Sequence, residues 1–315
     1  MTDAVLVENV VKRFSGSQTT VALAGVSVAI RAGELFGFIG PDGAGKTTLF
    51  RILTTLLLPD EGRARVLGED VVGAMWSLRT RIGYMPGRFS LYPDLSVEEN
   101  LRFFASVFGT TIAAERARIA PIYVQLEPFK ERRAGALSGG MKQKLALCCA
   151  LVHRPEILFL DEPTTGVDAV SRREFWDLLG DLKAGGLTAV VSTPYMDEAD
   201  RCDRIALIQQ GRLLAVDAPA AVAAAFDRPL LSVRSGRRHD VLRALREYPQ
   251  ANTAYPFGES IHFTDKRADV PVAAQQNELR AFLQGRGLTD VSVEPAAPTV
   301  EDSFMARMGG REDAA

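Results

Sequence analysis

The sequence predicts an α/β fold: a parallel sheet carrying a phosphate-binding loop, interrupted by a helical subdomain and followed by a small α+β extension. Three observations carry that expectation. Residues 40–47 read Gly40-Pro41-Asp42-Gly43-Ala44-Gly45-Lys46-Thr47, a complete G-x-x-x-x-G-K-[ST] loop. Residues 157–160 form a continuous apolar run ending in Asp161-Glu162-Pro163, the pattern of a strand buried on both faces of a parallel sheet. Between the two lies Leu137-Ser138-Gly139-Gly140-Met141, a serine and a glycine pair at the head of an apolar helical run.

Taken in order, residues 5–11 and 26–30 read as strands on either side of a polar turn at Ser15-Gly16-Ser17-Gln18. Gly33-Glu34 turns the chain into residues 35–39, a short buried strand that feeds the loop. A helix starts near Gly45 and runs through Leu49, Phe50, Ile52 and Leu53. Strand, loop and helix in that order are the context a working phosphate loop requires. Pro59-Asp60-Glu61-Gly62 is a turn, after which short strands lead to residues 81–85. From about residue 90 to 152 the pattern is helical; Ser96 caps a run with Glu98 and Glu99 in its first turn and Leu101, Phe103, Phe104 and Val107 on its apolar faces. Residues 171–183 read as a helix stopped by Gly185-Gly186, 187–191 as a buried strand, and 204–209 with 212–215 as a hairpin about Gln210-Gly211. An alanine-rich stretch at 218–225 marks a composition shift. Beyond Arg228 the order is strand (230–234), helix (240–247), strand (261–264), helix (274–284) with Gly285 as its stop, strand (291–294) and an amphipathic tail at 299–308. The expected organisation is therefore a main domain at 5–228, with its helical subdomain at about 90–152, and a small extension at 229–315. No internal repeat or second phosphate loop is visible.

Composition narrows the class. The chain has 315 residues, 47% apolar and 24% charged, as expected of a folded globular protein. A net charge of −2 supplies no global field for nucleic acid, so no nucleic-acid partner is expected. Cys148 and Cys149 are adjacent in an apolar helical run and Cys202 is a lone thiol; three such cysteines give no disulfide framework and fit a reduced, cytoplasmic compartment. No apolar run approaches the ~20 residues that span a bilayer, and Met1-Thr2-Asp3 opens neither a basic patch nor a signal-like core. A membrane pore, if there is one, is expected on another polypeptide.

The motifs imply a division of labour. Glycines in the loop let backbone N–H groups point at phosphate oxygens, with a helix N-terminus behind them. Lys46 is expected to reach the β- and γ-phosphates, and the Thr47 hydroxyl, followed by Thr48, to ligate Mg²⁺. Asp161 ends a strand at the sheet edge where α/β proteins bind ligands, and can hold Mg²⁺ through water. Glu162 beside it is placed to polarise an attacking water as a general base. Ser138, Gly139 and Gly140 begin the helix that carries Lys142, Gln143 and Lys144, a second N-terminus suited to an anion. The helical insert separates the two cradles, so one nucleotide does not use both from one chain.

Together these motifs make residues 5–228 resemble the ATPase subunit of an ATP-binding cassette (ABC) transporter. The resemblance implies a P-loop cassette that binds ATP and Mg²⁺ through residues 40–48, with Thr47 and Asp161 on the metal and Glu162 as the base. It also implies that two cassettes pack head to tail, each Ser138-Gly139-Gly140 touching the γ-phosphate held by the other. Phe14 matches the aromatic that stacks on adenine, a place in the core being the other reading of that phenylalanine. Thr165-Gly166-Val167-Asp168 matches the loop that crosses to the opposite cassette. Ser192-Thr193-Pro194-Tyr195-Met196-Asp197-Glu198-Ala199 resembles drug- and polysaccharide-exporting ATPases of the daunorubicin-resistance type, which pair with ABC-2-type permeases. The tail Pro298-Thr299-Val300-Glu301-Asp302-Ser303-Phe304-Met305 is similar to the closing element of that group's C-terminal extension, and the chain is similar to one half of its tandem-cassette members. The resemblance therefore implies a subunit held on the cytoplasmic face of the cell membrane by an ABC-2-type permease, working with a second cassette in a homodimer or heterodimer.

Two positions depart from the family pattern. Pro194 stands where the family places its switch histidine, and Gly87 where it places a glutamine. Proline has no imidazole and no donor, and none of His153, His239 and His262 lies near it in sequence. Gly87 cannot reach a metal or a water, although Arg88 follows it. Losing one positioned transition-state donor costs about 10²- to 10³-fold in rate. With Glu162 intact, the expectation is ATP binding with slow hydrolysis. Two roles remain open: the motor of an exporter, or a mainly ATP-binding partner whose Ser138-Gly139-Gly140 completes the site of a second cassette.

Overall fold

The computed structural model describes residues 3–16, 19–88 and 90–312, with the backbone alone at 309–312. Ser17 and Gln18, half of the expected turn at 15–18, lie outside the described residues. The chain divides between Pro219 and Ala220 into two compact units.

The first unit runs β1 (Asp3–Phe14), β2 (Thr20–Arg31), β3 (Leu35–Ile39), α1 (Lys46–Leu53), β4 (Glu61–Val66), β5 (Glu69–Asp70), α2 (Met75–Arg79) and β6 (Ile82–Met85). It continues through α3 (Val97–Val107), α4 (Ile112–Tyr123), α5 (Gly139–Leu151), β7 (Ile157–Asp161), α6 (Ala169–Ala184), β8 (Thr188–Thr193), β9 (Arg204–Gln209) and β10 (Arg212–Asp217). Strands β1 and β2 extend well past the apolar runs that mark them, because bulges at Val7/Val10 and Lys12/Arg13 break the alternation of faces. Helix α2 has no counterpart in the sequence reading: it is five residues long, only Leu78 is buried, and Trp76 is 74% exposed, so no apolar stripe announces it.

Two sheets build this unit. The smaller is antiparallel in the order β2-β1-β4-β5. The larger has the order β10-β9-β3-β8-β7-β6, parallel except where β10 returns antiparallel on β9. The hairpin between them turns on Gln210 (φ 48°) and Gly211 (φ 70°), the pair of positive φ values a two-residue connection requires. Every residue of β3, β7 and β8 is buried, which is why residues 35–39, 157–160 and 189–191 read as apolar runs, with Asp161, Ser192 and Thr193 as buried polar ends. Ile39 lies opposite Thr193 and Asp161 opposite Ser192, so Gly40, Glu162 and Pro194 leave neighbouring strands at one level. Phe50 of α1 packs edge-on against Phe38 of β3 and Phe159 of β7, each at 5.9 Å between ring centroids. That contact anchors the helix behind the loop to both strands. In the helical segment α3 carries the expected capping box: Ser96 Oγ accepts from Glu99 N, and the Glu99 carboxylate from Ser96 N.

The second unit takes in most of α7 (Pro219–Ala224) and adds β11 (Leu230–Arg234), α8 (Arg238–Arg246), β12 (Ala251–Phe257), β13 (Ser260–Asp265), α9 (Val272–Gly285), β14 (Ser292–Pro295) and α10 (Val300–Glu312). The alanine-rich segment falls on this side of the division, ahead of the expected boundary at 228, and Ser303 Oγ donates to Val222 O at 2.8 Å. The sheet is antiparallel, β12-β13-β11-β14, with Leu231, Val233, Leu245, Phe263, Leu279 and Leu283 in its core. Strand β12 escapes the sequence reading because it is a half-buried edge interrupted by Pro256. The stop of α9 is not Gly285, which is still helical, but Gly287 at φ 78°.

Asp302 fastens α10 within this unit. Its fully buried carboxylate meets His262 Nδ1 and Thr299 Oγ1, both at 2.6 Å, and accepts from the Tyr255 hydroxyl. Burial by itself would raise this carboxyl; the hydrogen bonds from His262, Thr299 and Tyr255 outweigh it and hold it at about 2, below its ordinary 3.8. The folded value being the lower one, the stabilisation is present above about pH 4 and is lost as pH falls toward 2, an effect of roughly 2 kcal/mol. Thermal unfolding of Asp302→Asn should show lower stability than wild type at neutral pH and a shallower fall between pH 4 and 2; an unaltered slope would remove Asp302 from the account.

Candidate active site

The phosphate loop begins where β3 ends. At Gly40 a Cβ would lie 2.1 Å from the Ile208 carbonyl oxygen, so the loop passes β9 at a distance only glycine permits. Gly40 N donates to Thr193 O at 3.2 Å, tying the loop to the end of β8. Pro41, Asp42 and Gly43 continue it, and Ala44 O accepts from Gly211 N at 2.9 Å. Gly45 (φ 104°) caps α1 from the left-handed region, and no side chain caps this helix. Its first N–H groups thus lack a side-chain acceptor, the condition in which a helix N-terminus takes an anion.

Lys46 is 3% exposed and all three of its protons are engaged: Nζ lies 2.7 Å from Gly40 O, 2.9 Å from Pro41 O and 3.1 Å from Glu162 Oε1. The loop lysine and the expected base therefore neutralise each other. Thr47 and Thr48 follow at half-buried positions, and the Thr47 hydroxyl makes no hydrogen bond among the described residues. Asp161 is 2% exposed at the end of β7, where its Oδ1 accepts from Ser192 Oγ at 2.6 Å. Ser192 also holds Glu162, whose N lies 3.0 Å from both Ser192 O and Ser192 Oγ. Glu162 itself sits at φ 51°, a left-handed conformation a non-glycine residue keeps only where its surroundings enforce it. Burial first, and the Asp161 carboxylate second, push the Tyr84 hydroxyl up to about 12.

Both departures stand at this cluster. Pro194 follows Thr193 directly, and a Cβ on Gly87 would lie 3.0 Å from Asp161 O and 3.7 Å from Glu162 Cβ. Phe14 and Ser138 share no hydrogen bond, ion pair or ring contact with the cluster among the described residues. Phe14 ends β1 42% exposed, with Lys12 Nζ 5.8 Å from its ring centroid, which sets aside the core reading of that ring. Ser138 is the exposed N-cap of α5, its Oγ accepting from Met141 N at 3.3 Å. Gly139 and Gly140 lie against the segment 166–171: a Cβ on Gly140 would meet Ser171 Oγ at 2.5 Å. Asp168 caps α6 by accepting from Val170 N and Ser171 N at 3.1 and 3.0 Å, and these bonds hold its carboxyl below the ordinary range.

Oxygen donors alone, Thr47 and Asp161, are what a hard cation such as Mg²⁺ accepts. Among the described residues no group of three His, Cys, Asp or Glu could hold a metal, so a cation here would share phosphate oxygens. Cys148, Cys149 and Cys202 are buried, and burial pushes all three thiols up, out of the reactive range. Ser192, Arg172 and Glu198 are absent from the candidate residues read from the sequence; only the strand pairing brings Ser192 to Asp161.

Fold and site define a P-loop nucleotide-binding cassette. The family model described as "ABC transporter" matches residues 23–165. The chain is 39% identical over 316 residues to "Probable multidrug ABC transporter ATP-binding protein YbhF" of Escherichia coli (strain K12), covering 98% of this chain and 53% of that protein, so it spans about half the length of that relative. It is 34% identical over 306 residues to "Nod factor export ATP-binding protein I" of Rhizobium sp. (strain N33), covering 96% of each. Among solved structures, the dimeric, post-hydrolysis ATP-binding cassette MJ0796 bound to ADP and Pi superposes with a TM-score of 0.62 at 28% identity, covering 68% of this chain and 98% of that one. The chain belongs to the ABC transporter ATP-binding protein family.

The Lys46–Glu162 pair makes a specific expectation for nucleotide binding. Phosphate must draw Lys46 from Glu162, so Glu162→Gln should tighten ADP binding about fivefold by titration calorimetry, the worth of a partly exposed pair near 1 kcal/mol. Lys46→Ala should abolish binding; retained binding by Lys46→Ala, or weaker binding by Glu162→Gln, would contradict the assignment.

Proposed function

We propose that this chain is the ATP-binding and hydrolysing subunit of an exporter, coupling ATP to transport through a separate ABC-2-type permease. The observation that carries the reading is the meeting of Lys46 with Glu162, beside Asp161, at the mouth of one phosphate loop. ATP is the substrate: water attacks the γ-phosphorus, the bond to the β-phosphate oxygen breaks, and Glu162 takes the proton of the water. Mg²⁺, held by Thr47 and Asp161, would offset phosphate charge. Ser192, donating to Asp161 Oδ1, leaves the second carboxylate oxygen for that task. Phe14 offers its exposed ring to adenine. Ser138, Gly139 and Asp168 are exposed groups suited to meet a second cassette, with Gly140 packed beneath them against Ser171.

Export is supported by the names of the relatives, a multidrug transporter protein and a Nod factor export protein. A permease is supported by a groove of about 430 Å³ lined by Leu56, Met85, Phe104, Val107 and Phe108, with Leu56 55% and Val107 60% exposed. The groove fits an apolar helix end from a membrane partner. Among the described residues no helix is long and apolar enough to cross a membrane. On this reading the chain sits on the cytoplasmic face of the cell membrane only through that partner.

Pro194 and Gly87 favour a second reading, in which hydrolysis here is slow and Ser138 serves the competent site of a different cassette. Pro194→His tests it most cleanly, since Gly87→Gln must first displace its neighbours by a few tenths of an ångström. If the chain works as a homodimer limited by the missing donor, Pro194→His should raise kcat about 10²-fold with the ATP KM little changed. If it serves a partner cassette, Ser138→Ala should cripple the pair while Pro194→His matters little. A fast wild-type homodimer indifferent to Pro194→His would overturn the slow-site reading.

A further inference from the structure

Glu198 is 3% exposed and stands outside the phosphate cluster, yet it joins three segments that border it. Its Oε2 accepts from Thr193 Oγ1 at 2.5 Å and from Thr164 Oγ1 at 3.1 Å, and its Oε1 from Arg172 Nε at 3.1 Å. Thr193 ends β8 beside Gly40. Thr164 lies two residues past Glu162 and is 1% exposed. Arg172 sits in the first turn of α6, its N donating to the O of the capping Asp168 at 2.9 Å. Arg172 also reaches Asp197 at 3.3 Å and lies over the Tyr195 ring, 4.2 Å from its centroid, so it grips the chain on the far side of Pro194.

A buried carboxylate persists only when its charge and lone pairs are met, and losing one partner leaves an uncompensated charge. Here one guanidinium and two hydroxyls meet them, and each belongs to a different segment. We infer that Glu198 and Arg172 are positioning residues: a latch between β8, the segment 162–168 and α6 that holds Glu162 where it can take a proton from water. Two features make Glu162 dependent on such a latch. Its backbone is held at φ 51°, which only over-determined surroundings sustain. Its N is bonded to Ser192, one residue before the Thr193 that Glu198 holds, so the two restraints flank the same turn. With proline at 194, the loop after β8 brings no imidazole to the nucleotide, and its contribution to turnover passes through this geometry. Asp168 caps the same helix α6 that carries Arg172, and Gly139 and Gly140 lie against the segment 166–171 that follows Glu162.

The inference rests on the reading of Glu162 as general base, and the experiment separates the two. Steady-state ATPase kinetics and thermal unfolding are measured on the full chain for Glu162→Gln, Glu198→Gln, Arg172→Ala, Arg172→Lys and Thr164→Val. Arg201→Ala, which breaks the exposed pair to Asp177 at 3.1 Å, is the control for loss of a surface charge and should match wild type. Glu198→Gln and Arg172→Ala should each lower kcat about tenfold with the ATP KM within about twofold, since a small displacement of a base is felt in the chemical step. The double variant should be no slower than the slower single one, as for residues acting as a unit. Arg172→Lys should recover part of the rate, and Thr164→Val should show a smaller fall in kcat that carries the test if the charge variants do not fold. If Glu162→Gln abolishes turnover while the latch variants lose only thermal stability and keep kcat per folded molecule, the latch is structural and the inference fails alone. If Glu162→Gln retains turnover, the base assignment fails and the latch role with it.

Discussion

Everything at the site depends on the parallel register of β3, β8 and β7. Strands buried on both faces pair side by side, and their last residues come level: Ile39 opposite Thr193, Asp161 opposite Ser192. From that level edge leave the phosphate loop, the segment carrying Glu162 and the segment carrying Pro194. Backbone bonds from Gly40 N to Thr193 O and from Glu162 N to Ser192 O hold all three together before any side chain is considered. Phe50, wedged on Phe38 and Phe159, then fixes α1 behind the loop. Cradle and acids are thus positioned by apolar packing and ladder bonds, not by their own attraction.

That origin explains how far the sequence could be read. Residues 40–47 and 157–162 were legible because a glycine-rich loop and a doubly buried strand each leave a local signature. The hairpin at Gln210-Gly211 follows from the same local rules. Ser192, Arg172 and Glu198 were not legible: each acts through a partner 26 to 34 residues distant, and adjacency across strands leaves no spacing pattern. Helix α2 and strand β12 were missed for the opposite reason, since too little of either is buried to impose a period. Phe14 was ambiguous in sequence, and its exposure decides against the core.

Lys46 and Glu162 pair across the site. Lys46 directs its three protons at two loop carbonyls and Glu162, so its charge is matched by one carboxylate of the acid edge. Pro194 and Gly87 lie at the same edge, one directly after Thr193 and the other against Asp161 O. Whether exporter motor or partner cassette, the chemistry proposed for the chain runs through Glu162 and the turn that holds it.

A structure of Glu162→Gln with Mg·ATP tests the central claim, that loop and acid edge form one nucleotide site. The account requires Lys46 Nζ on the β- and γ-phosphates and free of residue 162, with Thr47 and Asp161 at the cation and Phe14 against adenine. Nucleotide bound elsewhere, or Lys46 still seated on the loop carbonyls with phosphate nearby, would contradict it.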